Sequence, residues 1–185
     1  MTANSRSSGD HIASSPFGDA ADAAPAVPFD PRQFRDALGS FATGITVVTA
    51  LGPQGQPLGL TVNSFNAVSL EPPLVLWSLA RKSHSCEAFR QASHYAVNIL
   101  ALDQEDISQH FAMTPPEERF KGVAWRAGRS GVPILEGCCA WFEVRNDVQH
   151  VGGDHLIFVG QVQEFARDAE RLPLIFHAGR YRELA

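Results

Sequence analysis

The stretch from Cys139 to Arg167 constrains the fold more than any other part of the chain. "CAWFEVRNDVQH" and "HLIFVGQVQEFAR" are long runs of strand-forming residues, and "VGGD" between them places Gly152 and Gly153 together. Period-two alternation marks a strand, and a glycine pair allows a tight reversal, so this region reads as a long antiparallel hairpin. Upstream, "ITVVTA" (45–50) is β-branched almost throughout and "GPQGQP" (52–57) supplies a turn into "LTVNSFNAVS" (60–69), a second hairpin. After "EPP" (71–73) come "LVLWSLA" and, past a short helical segment, "YAVNILA". At least six strands with antiparallel connections and only short helices predict a mainly β fold, a closed or partly closed β-barrel rather than a βαβ sheet. No internal repeat is evident.

The helical pieces are few. Asp30 is placed to cap a helix with Pro31 at its first position, and Phe34, Leu38 and Phe41 recur at helical spacing before Gly39 and the residues after it end the element. "SHSCEAFRQAS" reads as a short helix opened by Ser83 or Ser85, and "DQEDISQHFAM" as one capped by Asp103. "TPPEERFKGVAWRAGRSGVPIL" is broken by Pro and Gly and reads as loop with a helical turn. Residues 1–27 have low hydrophobicity and read as a disordered N-terminal extension, leaving 28–185 as the domain.

Composition excludes several classes of function. The 185 residues are 44% apolar and 19% charged, with a net charge of −5, so no global basic field favours nucleic acid or an anionic membrane. No apolar run is long enough to span a bilayer. Three cysteines, two of them adjacent, make no disulfide framework and match no metal spacing, and a reducing, cytoplasmic setting is expected. Cys138 and Cys139 are expected on opposite faces of one strand, and Trp77, Trp125 and Trp141 in core or dimer packing.

The segment "LTVNSFNAVS" poses a chemical question. Thr61, Asn63, Ser64, Asn66 and Ser69 are threaded among core-type residues, and buried hydroxyls and amides need partners. About a dozen residues later, "ARKSHS" puts Lys82, Ser83 and Ser85 around a helix start. Alone, that is a capped helix with solvated basic residues, or a phosphate site. Together, a polar strand leading to a phosphate cradle suits a ligand with a flat polar heterocycle, a hydroxylated chain and a phosphate, the layout of FMN.

"FATGITVVTA", "GLTVNSFNAVSLEPPLVLWSLARKSHS", "GDHLIFVGQV" and "PLIFHAGRYREL", in this order from about Phe34 to Leu184, resemble the signature blocks of the flavin reductase family. These are the small reductase components of two-component flavin monooxygenases. The resemblance implies a homodimer of Greek-key, FMN-binding split β-barrels that reduces FMN or FAD with NADH or NADPH. It implies flavin ring and ribityl contacts from Thr61, Asn63, Ser64, Phe65 and Asn66, and phosphate contacts from Lys82, Ser83 and Ser85. His155, in "GDH", is implied to meet the nicotinamide, and Arg180, with His177 and Tyr181 beside it, to close over the cofactor. Family members often carry Ser or Thr where His84 stands. The same barrel could instead serve as a flavin carrier or sensor without turnover, or as an oxidase-like relative of the pyridoxamine phosphate oxidases. The implied partners are a second copy and a flavin-dependent monooxygenase, with no nucleic acid, membrane or metal.

Overall fold

The computed structural model describes residues 30–184, together with the backbone of Ile12–Ala13. The rest of the expected disordered extension, residues 1–27, lies outside the described residues. In chain order the elements are β1 (Ile12–Ala13), α1 (Pro31–Gly39), β2 (Thr43–Gly44), β3 (Thr46–Leu51), β4 (Pro57–Val62), β5 (Asn66–Leu70), β6 (Pro73–Ala80), α2 (Cys86–Gln91) and β7 (His94–Ile99). They continue with α3 (Glu105–Met113), β8 (Trp125–Ala127), β9 (Pro133–Leu135), β10 (Ala140–Gly152), β11 (His155–Arg167), β12 (Ile175–His177) and β13 (Arg180–Arg182).

The main sheet runs β4-β3-β7-β10-β11-β6-β5, and every neighbouring pair along it is antiparallel. β1 lies parallel to β10 at Gln149 and His150. The sheet wraps one interior. Val48 and Ala50 of β3, Trp77 and Leu79 of β6, Tyr95 and Val97 of β7, Val144 of β10 and Phe158 of β11 share a single buried cluster. Trp77 stacks on Phe158 at 4.5 Å between ring centroids, at the centre of that cluster. The long hairpin bends around this interior through register shifts at Glu143/Val144 and Asn146/Val148, where bulges raise the local twist. β4 and β5 follow each other in the chain yet stand at opposite ends of the sheet path, so residues 63–65 cross the place where the barrel is split.

β3 explains its own sequence. Its other face meets a second cluster containing Val47, Leu100, Phe111 and Leu174, against which Ile107 of α3 and Tyr181 of β13 also pack. A strand buried on both faces loses polar alternation, which is why "ITVVTA" is so uniformly β-branched. Its two buried threonines are satisfied: the Thr46 hydroxyl donates to the Val62 carbonyl, and Thr49 Oγ1 accepts from the buried Asn98 amide.

Four expectations change. "LTVNSFNAVS" is not one strand but the end of β4, a three-residue connection, and β5. Asp103 caps nothing. A single 3₁₀ turn, Leu102–Gln104, precedes α3, Gln104 is the residue before its first turn, and Asp103 pairs with Arg171 at 3.2 Å. The region read as loop holds the helical turn Pro116–Glu118 but also the β8–β9 ribbon, whose link is fixed by buried Glu143 accepting the Arg129 and Ser130 N–H groups at 2.8 and 2.6 Å. Cys138 and Cys139 precede β10 rather than lying on it, and both are buried. Burial pushes the Cys138 thiol up to about 12, so at neutral pH it stays protonated and chemically quiet.

Candidate functional site

The site begins with the outer ends of β6 and β11. Ala80 pairs with His155 in the ladder, and just beyond it the Arg81 N–H donates to the Asp154 carbonyl at 2.9 Å. This bond joins the two segments that the sequence marked separately, "KSHS" and "GDH". Lys82 is exposed, and Ser83 lies in a tight turn in which its N–H donates to the Ala80 carbonyl and its own carbonyl accepts from the Cys86 N–H. Ser85 is buried at the head of α2. His84 is exposed beside them.

Across the hairpin turn, the His155 ring Nδ1 donates to the Asp154 carboxylate at 2.7 Å. That hydrogen bond holds the Asp154 carboxyl below its usual range and, with the carboxylate as acceptor, turns the Nδ1–H edge of the ring toward Asp154. Asp154 carries no mark of this role in "GDH", because the partner of an imidazole is visible only in three dimensions.

Ser64 comes to the same end from the split. Its hydroxyl accepts from the Ser78 N–H and donates to the Ser78 carbonyl, both at 3.0 Å, stitching the 63–65 connection to β6 two residues before Ala80. Phe65 is half-buried against the barrel interior and stacks on Phe142 at 5.8 Å. Thr61 uses its hydroxyl proton on the Ser108 carbonyl of α3 at 2.7 Å. Three of the five residues expected along the flavin ring therefore also brace the connection, while the Asn63 and Asn66 side chains are exposed. Of the polar side chains of "LTVNSFNAVS", Thr61 and Ser64 are satisfied by the fold itself.

Asn63 also lines a cleft of about 590 Å³ between α1, β2 and the β12–β13 hairpin, bounded by Leu38, Phe41, Thr43, Phe176 and Gly179. This is where the predicted apolar stripe of α1 goes. Its N-terminus is capped as expected, Asp30 accepting from the Arg32 N–H at 2.8 Å, yet the helix buries no residue, and Leu38 and Phe41 are 60% and 73% exposed. Arg180 follows the hairpin turn that walls this cleft. Lys82, Ser83, Ser85 and His155 do not line it. The structure thus gathers Ser64, Lys82, Ser83, Ser85 and His155 at one sheet end and brings Asn63 and the turn before Arg180 to a cleft, with residues 63–65 joining the two.

The turn in that wall is strained. His177 pairs with Arg180, and the two residues between, Ala178 (φ +50°) and Gly179 (φ +75°), both adopt left-handed backbone. Two-residue hairpins of this kind favour Asn-Gly, and alanine pays for the conformation through its Cβ. The Ala178 N–H donating to the Gly39 carbonyl at 2.8 Å holds it there. Ala178→Asn is expected to raise stability by about 0.5–1 kcal/mol, seen as a higher urea midpoint at unchanged slope. A lower midpoint would mean that the alanine is not strained.

The comparisons with known proteins now bear on this geometry. The flavin reductase like domain matches residues 38–185, most of the chain. The chain belongs to the flavin reductase family. A "Probable flavin reductase" of Rhizobium meliloti (strain 1021) is 49% identical over 137 residues, 74% of this chain and 44% of that protein, so the chain spans less than half of that relative's length. The reductase subunit of a flavin-dependent monooxygenase from Rhodococcus jostii (strain RHA1) is 39% identical over 164 residues, covering 89% of this chain and 82% of that protein. Among solved structures, an NADH:FAD oxidoreductase of Streptomyces globisporus C-1027 in complex with NAD and FAD fragments superposes with a TM-score of 0.79 at 36% identity, over 86% of this chain and 98% of the other. Neighbours of this kind carry the split-barrel fold of the flavin reductase family, in agreement with the mainly β barrel expected from sequence. Among the described residues no helix is long and apolar enough to cross a membrane, and no group of side chains could hold a metal ion.

Proposed function

We propose that this protein is an NAD(P)H-dependent flavin reductase that passes hydride to FMN or FAD and supplies the reduced flavin to a partner monooxygenase. The observation that carries the reading is the Arg81–Asp154 bond, which makes a cationic, hydroxyl-bearing segment and an oriented histidine neighbours at the ends of β6 and β11. The donor set fits a flavin phosphate. Lys82 brings a positive charge and Ser83 and Ser85 bring hydroxyls, while Asn63, Asn66 and the backbone N–H groups of 63–66 offer donors and acceptors for the heteroatoms of the ring. When bound, the flavin supplies a ring that accepts hydride from a reduced nicotinamide.

The chain's own work is positioning. Ser64 locks the connection that carries Asn63, so its amide and the adjacent N–H groups meet the ring with little freedom left to lose. Asp154 orients the His155 ring, and His155 serves as the contact for the nicotinamide. Arg180, on the hairpin beside the cleft, closes over the bound cofactor.

The assembly we propose is a homodimer in a reducing, cytoplasmic setting. Phe65, Phe142 and Phe165 form a row of stacked rings that ends on Phe165, 67% exposed, and Leu70 on the edge strand β5 is 94% exposed. Apolar surface of this kind is what a second copy would cover. Sedimentation equilibrium giving a dimer supports this, and a monomer at all concentrations refutes it.

Turnover of NADH and NADPH with added FMN or FAD tests the activity: many turnovers per protein are expected, whereas binding without multiple turnover would make the protein a carrier. Lys82→Ala and Ser83→Ala are each expected to weaken FMN by about tenfold to a hundredfold, as follows from roughly 1.5–3 kcal/mol for a hydrogen bond to a charged group. Riboflavin, which has no phosphate, should be indifferent to both substitutions. Equal losses for the two ligands would remove these residues from the phosphate site.

A further inference from the structure

Two hydrogen bonds in series link the strand that carries Thr61 to the C-terminal hairpin. The Thr61 hydroxyl donates to the Ser108 carbonyl at 2.7 Å, and the Ser108 hydroxyl meets the Tyr181 hydroxyl at 2.9 Å. Ser108 is wholly buried. Tyr181 sits on β13, whose strand partner is β12, and β12 pairs in turn with the two-residue strand β2. The hairpin is thus joined to the rest of the fold by a short ladder to β2, by the Ala178 N–H on the Gly39 carbonyl at its turn, by the packing of Phe176 and Tyr181 in the second cluster, and by the Tyr181 hydroxyl. Its turn walls the cleft that Asn63 enters from the end of β4, so the two ends of the relay carry two walls of one cleft.

We propose that Tyr181 is a positioning residue of the flavin site: through Ser108, its hydroxyl fixes the hairpin that carries Arg180 relative to the end of β4. The inference rests on the reading of this site as a flavin site. Packing does not need the hydroxyl, because the Tyr181 ring meets Phe176 edge-on at 5.6 Å and lies in the second cluster as a phenyl group would. Geometry does need it, since a shift of about 1 Å in a positioning group costs far more in function than in stability. The relay is invisible in the order of residues, because Ser108 lies within a helix as one polar residue among many.

The test uses Tyr181→Phe, Ser108→Ala and the double variant of the full chain, with FMN and FAD titrated in parallel by fluorescence and with steady-state reduction measured well below the melting temperature. Tyr181→Phe keeps the ring, and Ser108→Ala keeps the carbonyl that Thr61 uses. Each is expected to weaken flavin about fivefold, the effect of one lost hydrogen bond, and the double variant is expected to be no worse than the weaker single, as for groups in one chain. Lower melting temperatures with unchanged flavin affinity and unchanged KM and kcat would make the relay merely structural and overturn the proposal, as would fully multiplicative losses. The site reading is checked beside it: if Lys82→Ala and Asn63→Ala leave flavin affinity at the wild-type value, that reading falls and the inference with it. If they weaken binding while Tyr181→Phe does not, only the inference falls.

Discussion

Replacing His155 with alanine is expected to raise the apparent KM for the nicotinamide donor or to slow flavin reduction, by about tenfold for each 1.4 kcal/mol of interaction lost. Flavin affinity and melting temperature should stay near wild type. His155 stands at the head of β11, its side chain 44% exposed and its ring held by an Asp154 carboxylate that is itself 88% exposed, so little packing is lost with it. Stopped-flow reduction of the flavin-bound protein, read beside a thermal melt, separates the outcomes. Normal reduction with a melt lowered by several degrees would make the histidine structural. Asp154→Asn gives a graded control, since an amide still accepts from Nδ1–H but without the charge, and its defect should be in the same kinetic step and smaller.

The largest effect on stability is expected at Gly160 in β11. A Cβ at this position would lie 2.3 Å from the Arg145 carbonyl oxygen, 2.6 Å from Val144 Cγ1 and 2.8 Å from the Tyr95 hydroxyl. The first of these is backbone in the middle of the longest hairpin and cannot step aside. Gly160→Ala is expected to cost about 3 kcal/mol, with a melting temperature lower by about 10 °C. Urea unfolding and a melt check it, and a loss under 1 kcal/mol would show that the bulge at Asn146 absorbs the methyl group.

The strands of the barrel were legible where their signal was long. Thirteen residues each in β10 and β11, with glycines between, left one reading, and β3 and β6 were visible as β-branched or apolar runs. β8 and β9 were not visible, since three residues are too few for alternation and the ribbon depends on Glu143 arriving from β10 to satisfy its turn. The break at 63–65 was hidden for a related reason. The strand pattern runs through it without a glycine or proline, and the crossing from β4 to the opposite edge is held by contacts distant in the chain, Ser64 on the backbone of Ser78 and Phe65 on Phe142.

For the candidate site, single residues were legible and their pairings were not. Lys82, Ser83 and Ser85 stood out by type, as did His155 after its glycine turn. Nothing in the order of residues says that the Arg81 N–H finds Asp154, that Thr61 spends its proton on α3, or that the apolar stripe of α1 faces a cleft. Those depend on contacts between segments far apart in the chain, which local patterns do not encode.

The strand order also has a consequence in time. β6, complete at Ala80, finds its inner neighbour only in β11, which begins at His155, and β7 waits for β10 in the same way. At a synthesis rate of about 5–20 residues per second, the edge of β6 stays unpaired for on the order of ten seconds after it leaves the ribosome. Closure at such sequence separation is also slow in itself, because the loop entropy must be spent before any ladder bond repays it. For that interval the apolar face of "LVLWSLA", with Trp77 at its centre, is open to other chains.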